Sequence, residues 1–230
     1  VGKTTCAAAL ALHCSRSSPT LVVSLDPAHN LGDVLCASLS GAPRQVSDRL
    51  WASEINMDAA VTRYLRHSSD ILKGMYGYVK TINLEGYLEA LRLSPGIEEY
   101  ATLEAMESVT RTASEPYGLP VIVTARTGLT LRVLALPRVS VLWGERIGRL
   151  RKEILDRRKA ISSIQGRRRF ALDGKEYDLP EVESADPVMK ELNLYLGRMR
   201  YLDGLQSDST RSRIMPVMNP DMLSSFETRR

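Results

Sequence analysis

The chain opens on Val1-Gly2-Lys3-Thr4-Thr5 and runs straight into an apolar helical stretch, Thr4 to His13. This is the right-hand half of the pattern GxxxxGK[ST], a turn that leads into a helix around an anion. Gly2 permits the tight turn that points successive N–H groups at phosphate oxygens. Lys3 supplies a point charge for β- and γ-phosphates, and the Thr4 hydroxyl is placed to ligate Mg²⁺. The positive end of the following helix faces the same anion. A helix start with an incidental lysine is the plainer reading of five residues taken alone.

The next segment favours the first reading. Thr20-Leu-Val-Val-Ser-Leu25 is a short apolar run bounded by turn formers, Ser15 to Pro19 before it and Asp26-Pro27 after it, which predicts a buried parallel strand. In such sheets ligands gather at the carboxyl ends of the strands. Asp26 would therefore leave its strand toward the phosphates, where a carboxylate can orient a water for in-line attack or hold Mg²⁺ through its water shell. Asn30, further along Asp26-Pro-Ala-His-Asn-Leu-Gly-Asp33, could donate to a transferred phosphoryl group. The competing reading is an Asp-Pro turn capping the next helix.

Beyond this point the pattern predicts helices over Met57–Tyr78 and Ile97–Val109, separated at Pro95-Gly96, and a second buried strand at Val121–Val123 after Pro120. Val139, Leu142, Trp143, Ile147, Leu150, Ile154, Ile161 and Ile164 recur at helical spacing and predict one long amphipathic helix. Asp173-Gly174 suggests a small hairpin, Pro187 to Leu205 a helix, and Ile214 to Met218 a strand. Strands separated by helices give an α/β fold with a parallel sheet, here with a large helical share. Val1 lies inside a motif and the last strand is followed only by a helix start, so both ends are expected to be incomplete.

Composition narrows the function classes. At 230 residues, 43% hydrophobic and 25% charged, the chain is neither fibrous nor disordered. Its longest apolar run, Cys6 to Leu12, is far short of the roughly 20 residues of a membrane-spanning helix. The net charge of +4, from 31 basic and 27 acidic side chains, is too small to argue for nucleic acid. The basic residues between Arg146 and Arg169 alternate with Glu145, Glu153 and Asp156 and carry no interleaved aromatics, which fits a solvated helix face. Cys6, Cys14 and Cys36 form neither a disulfide framework nor a CxxC pair, and are expected to be small buried residues in a reducing, cytoplasmic setting.

VGKTT, VSLDPAHNLGD, Pro95-Gly-Ile-Glu-Glu99 and Thr127-Gly-Leu-Thr-Leu-Arg-Val-Leu-Ala-Leu-Pro137, in this order, resemble the ArsA-type ATPases. That family comprises arsenical-pump ATPases and similar ATPases that deliver tail-anchored membrane proteins. The resemblance covers essentially the whole chain. It implies a P-loop NTPase fold, with a mostly parallel doubly wound sheet in one domain spanning 1–230 and helical insertions near 57–115 and 139–206. It further implies that Gly2, Lys3, Thr4 and Thr5 hold ATP, that Thr4 and Asp26 serve Mg²⁺, and that Asp26 is the catalytic, water-positioning carboxylate. Asp26 to Asp33 would be switch I and Thr124 to Arg132 switch II, with nucleotide at the interface of a homodimer and a signature lysine upstream of Val1.

Two departures stand out. Where the family reads Asp-Thr-Ala-Pro-Thr-Gly, this chain has Val123-Thr124-Ala125-Arg126-Thr127-Gly128, so switch II either lacks its aspartate or is missing residues. The cysteines do not match a thiolate site for arsenite or antimonite, which needs converging soft ligands. The leading expectation is an ATP-switched targeting factor, whose partners are a client's transmembrane segment, a membrane receptor and a second copy of itself, and no nucleic acid. The client would lie in an apolar groove lined by Leu72, Met75, Tyr76, Leu88, Leu91 and Met106, methionine adapting to varied apolar partners. These residues could equally be core. An arsenite or antimonite efflux-pump subunit is the alternative, and a deviant partitioning ATPase a third.

Overall fold

The computed structural model describes residues 2–28, 30–75, 90–92, 94–112, 117–166, 169–172 and 175–229. It divides into two compact units, Val1–Val61 with Glu98–Leu134 and Asp208–Arg230, and Thr62–Ile97 with Ala135–Ser207.

The first unit is built on β1 (Thr20–Ser24), whose five residues are all buried. A strand covered on both faces must be apolar along its whole length, which is why the uninterrupted Leu-Val-Val run settles at the centre. It lies between β3 (Leu50–Glu54) and β4 (Leu119–Val123) and is parallel to both. β2 (Arg44–Ser47) adds an antiparallel edge, giving the order β2-β3-β1-β4. Pro120 sits in β4, an edge strand, where its missing N–H costs no ladder bond on the open side. Helix α1 (Lys3–Ser15) packs on β1 and β4. Its small residues Ala8 and Ala11 let the helix approach closely, and they form one core with Val22, Leu31, Leu50, Ala52 and Val123. Two strands escape the sequence reading: β2 is polar and exposed, and β3 ends in Ser53-Glu54.

Helix α2 (Leu31–Val34) is a single turn, and α4 (Ile97–Thr112) buries Ala101, Leu103, Ala105, Met106 and Val109. Met106, expected to line a groove, is thus a core residue of this unit. Its carboxylate neighbour Glu107 is also buried and paired with Arg111 at 3.0 Å. Ile214 to Met218 forms no strand, and Ile214 is 67% exposed. A short helix, α7 (Met222–Arg229), follows. The cysteines also differ from expectation. Cys6 and Cys36 are exposed and Cys14 half-buried, because α1 turns its alanines inward and Cys36 takes a left-handed φ of 49° at the end of a tight turn.

In the second unit, α3 (Met57–Met75, begun in the first unit) leaves Leu72 and Met75 half-buried, while Leu91 is exposed. Tyr76 and Leu88 lie outside the described residues. The dominant element is α5 (Thr127–Gln165), which begins at Thr127, well before the stretch the periodicity marks, and contains Pro137. Its packed face in this unit is not the apolar stripe. Ser140, Gly144, Gly148 and Leu155 are buried, whereas Val139, Leu142, Trp143, Ile147 and Leu150 are 44–61% exposed. The glycines set this rotation. A Cβ on Gly144 would meet Leu196 Cδ2 at 2.5 Å, so α6 (Pro187–Ser207) seats its leucines against a backbone that presents no side chain.

Polar contacts fix the same face. Tyr195 donates to Ser140 Oγ at 2.9 Å. Arg151 donates to both carboxylate oxygens of Asp186, at 2.7 and 3.0 Å, a fork-to-fork pair. Asp186 follows a 3-10 turn, Glu183–Ala185, and is 1% exposed. Burial alone would push its carboxyl pKa up, but the Arg151 hydrogen bond and charge, with the Val188 and Met189 amides, outweigh it and hold the carboxyl below its ordinary value. The expected hairpin is present as β5 (Arg169–Leu172) and β6 (Lys175–Asp178), paired antiparallel; its turn residues lie outside the described residues. Among the described residues no helix is long and apolar enough to cross a membrane.

Candidate functional site

Because β1, β3 and β4 run parallel with Ser24 opposite both Glu54 and Val123, the chain leaves all three strands at one edge of the sheet. Two hydrogen bonds lock that edge: Leu25 N–H donates to Val123 O at 2.8 Å, and Ile55 N–H to Ser24 O at 3.0 Å. Asp26 is the next residue out. Its N–H donates to Ser24 Oγ at 3.3 Å, and its Oδ1 accepts from Ala28 N–H at 3.1 Å. This Asx turn holds one carboxylate oxygen and leaves the other for a partner.

That partner is Lys3. Its Nζ lies 3.8 Å from Asp26 Oδ2, with the two side chains 36% and 24% exposed. Lys3 opens α1, and Gly2 before it is the N-cap with φ 86° and ψ −3°, making no side-chain cap. No atom crowds the place of a Cβ at Gly2, so the demand for glycine is conformational: an L side chain rarely adopts that φ. The first N–H groups of a helix have no acceptor within it, and a cationic side chain at an N-terminus opposes the helix dipole. Such an arrangement is compensated when an anion binds there. The site thus has the makings of a phosphate cradle, with Asp26 beside it.

The other candidates distribute as follows. Thr4 is half-buried and Thr5 exposed in the first turn of α1. Asn30 is exposed at the start of α2, with no side-chain cap bond. The hydroxyl of Thr4 and the carboxylate of Asp26 are hard oxygen donors, a set suited to Mg²⁺, which keeps several of its waters and takes few protein ligands. Among the described residues no group of three His, Cys, Asp or Glu side chains gathers as a metal site, and Thr4 with Asp26 fits an ion held mainly by water and phosphate. A depression of about 510 Å³ runs along Gly32, Asp33, Cys36, Ala37, Ser38, Leu39 and Glu54. Lys3 and Asp26 do not line it, and the candidate anion site rests on charge and helix geometry, not concavity.

At the end of β4, Val123 is buried in the core where the ArsA pattern has aspartate. Thr124-Ala125-Arg126 then links directly to α5, with Arg126 exposed and Thr130 donating to Arg126 O at 3.1 Å. Arg132 within this segment pairs with Glu99 at 3.2 Å, joining the TGLTLR and PGIEE motifs.

Sequence reasoning missed Glu54. Its Oε1 accepts from Leu31 N–H at 2.7 Å and from Gly32 N–H at 3.1 Å, so a side chain from β3 caps the turn that ends the Asp26–Asp33 loop. The only signal was an acid at the end of a strand that itself went unread.

The comparisons with known proteins agree with this geometry. A family model described as anion-transporting ATPase matches residues 1–230. ATPase GET3C of Arabidopsis thaliana is 30% identical over 246 aligned positions covering all of this chain and 59% of its own length. A relative in Aquifex aeolicus, named as a candidate arsenical pump-driving ATPase, is 31% identical over 69% of this chain and 53% of its own. ATPase GET3 of Phaeosphaeria nodorum is 25% identical over the whole chain and 67% of its own length. The chain thus spans between about half and two thirds of these relatives. With the Lys3–Asp26 pair at the sheet edge and a match along its full length, the chain belongs to the ArsA family of anion-transporting ATPases.

Proposed function

We propose that this chain hydrolyses ATP and uses the cycle to open and close a cytoplasmic homodimer that escorts tail-anchored membrane proteins to a membrane receptor. The observation that carries the hydrolytic part is the 3.8 Å approach of Lys3 Nζ to Asp26 Oδ2 at the start of α1. Gly2, Lys3, Thr4 and Thr5 bind the phosphates, with Lys3 moving its charge from Asp26 to the β- and γ-oxygens. Released from that pair, Asp26 orients the attacking water and takes up its proton, and Asn30 donates to the transferred phosphoryl group. Thr4 and Asp26 would hold Mg²⁺, which would supply charge neutralisation at the phosphate oxygens.

The targeting part rests on the outward stripe of α5. Leu142, Trp143 and Leu150 are about 60% exposed, and contiguous exposed apolar surface marks an interaction site. An apolar client helix fits it in the helix-in-groove manner. Co-expression with a protein ending in a C-terminal apolar helix is the test. A complex that forms with ATP and is lost in Trp143→Glu supports the reading; a complex indifferent to both rejects it. The pump names among the relatives favour a second reading, a metalloid-efflux subunit, for which antimonite should stimulate phosphate release.

A further inference from the structure

Glu54 belongs to the loop that carries the proposed water-positioning acid, although it is far from it in sequence. Its backbone is a fixed post. Glu54 N–H donates to Ser40 O at 2.9 Å, the next residue's N–H donates to Ser24 O at 3.0 Å, and Asn56 Oδ1 caps α3 by accepting from Ala59 N–H at 2.9 Å. From this post the carboxylate takes the Leu31 and Gly32 amides. Two amides on one charged oxygen make a stronger clamp than a neutral cap.

The receiving turn has no slack. Ala37 N–H donates to Gly32 O at 2.9 Å, and a Cβ on Gly32 would lie 2.7 Å from Ala37 O. Leu31 is fully buried in the core with Val22 and Ala52. Asp26 therefore follows one anchor, the end of β1, and Asn30 precedes another, the Leu31 and Gly32 amides held by Glu54.

We propose that Glu54 is a positioning residue for ATP hydrolysis: it fixes the far end of the Asp26–Asn30 loop, and so the aim of Asp26 and Asn30, without touching nucleotide. This rests on the hydrolytic reading above. A mis-set reacting group costs turnover far more than binding, and an error of about 1 Å can lower the rate by about 100-fold. In Glu54→Ala, kcat should fall at least about tenfold while the dissociation constant for a fluorescent ATP analogue changes by less than about twofold. Glu54→Gln, whose amide oxygen still accepts from both N–H groups, should recover most of the loss. Glu54→Asp keeps the charge but draws it back by one methylene; it should behave like Glu54→Ala and serves in its place if alanine unfolds the chain.

Amide exchange reads the anchor without nucleotide. Leu31 and Gly32 should exchange faster in Glu54→Ala and Glu54→Asp, and near the native rate in Glu54→Gln. Native turnover in Glu54→Ala or Glu54→Asp, or an equal loss of affinity and kcat, overturns the proposal. Absence of turnover in the native chain overturns the hydrolytic reading itself, a result plainly distinct from native turnover that is indifferent to Glu54.

Discussion

Lys3 Nζ and Asp26 Oδ2 lie 3.8 Å apart, one on the first residue of a helix and the other just past the strand that helix covers. Each satisfies the other until an anion competes for the lysine. On the proposed function the pair ties nucleotide binding to release of the acid, and it makes separable demands on two substitutions.

Asp26→Asn should retain nucleotide binding and lose turnover. The amide keeps the size and the Ala28 contact but cannot take a proton. Phosphate release measured beside nucleotide affinity checks this, and undiminished release from the variant removes Asp26 from the mechanism.

Lys3→Met should act on binding instead. Losing a hydrogen bond to a charged group costs about 1.5–3 kcal/mol, so affinity for ATP should fall roughly 10- to 150-fold. Titration calorimetry reads it directly.

Two glycines on α5 should respond with opposite signs to the same change. Alanine gains about 1 kcal/mol over glycine in a helix interior. At Gly148 the new Cβ meets Leu192 Cδ2 at an ordinary 3.5 Å, and the gain should appear as added stability. At Gly144 it meets Leu196 at 2.5 and 3.2 Å, where overpacking costs about 1–3 kcal/mol, and Gly144→Ala should be less stable than the native chain. Urea denaturation of the two variants compares them.

Arg151 and Asp186 predict an acid-sensitive second unit. Asp186 has its carboxyl held below the ordinary 3.8, so its contribution is complete above that value and drains away as pH falls through the lower folded value. The circular dichroism of the native chain should weaken below about pH 4 in a step that Asp186→Asn lacks. Arg151→Met, which strands a buried carboxylate, should cost about 3–5 kcal/mol at neutral pH.

What was legible in the sequence was local or carried by strong motifs. That Gly2-Lys3 start a helix and that Asp26 follows a buried strand was readable because turn-forming and apolar residues mark both places. The helices expected over Ile97–Val109 and Pro187–Leu205 are present as α4 and α6, each running slightly further at its C-terminal end. β3 was not legible, since Trp51-Ala-Ser-Glu54 has no long apolar run, and with it went Glu54. The cysteines were misjudged because small size permits burial without requiring it.

Sequence by itself determined a glycine–lysine helix start, an acid at the end of a central strand, and the family to which both belong. Tertiary structure decided which side of α5 is packed. Periodicity marks an apolar stripe but cannot say whether a neighbour will cover it, and here two glycines allow so close an approach by α6 that the stripe is left facing outward. It also decided that Glu54 should hold the Leu31 and Gly32 amides, because a hydrogen bond between residues 23 apart depends on strand register, which no local pattern encodes.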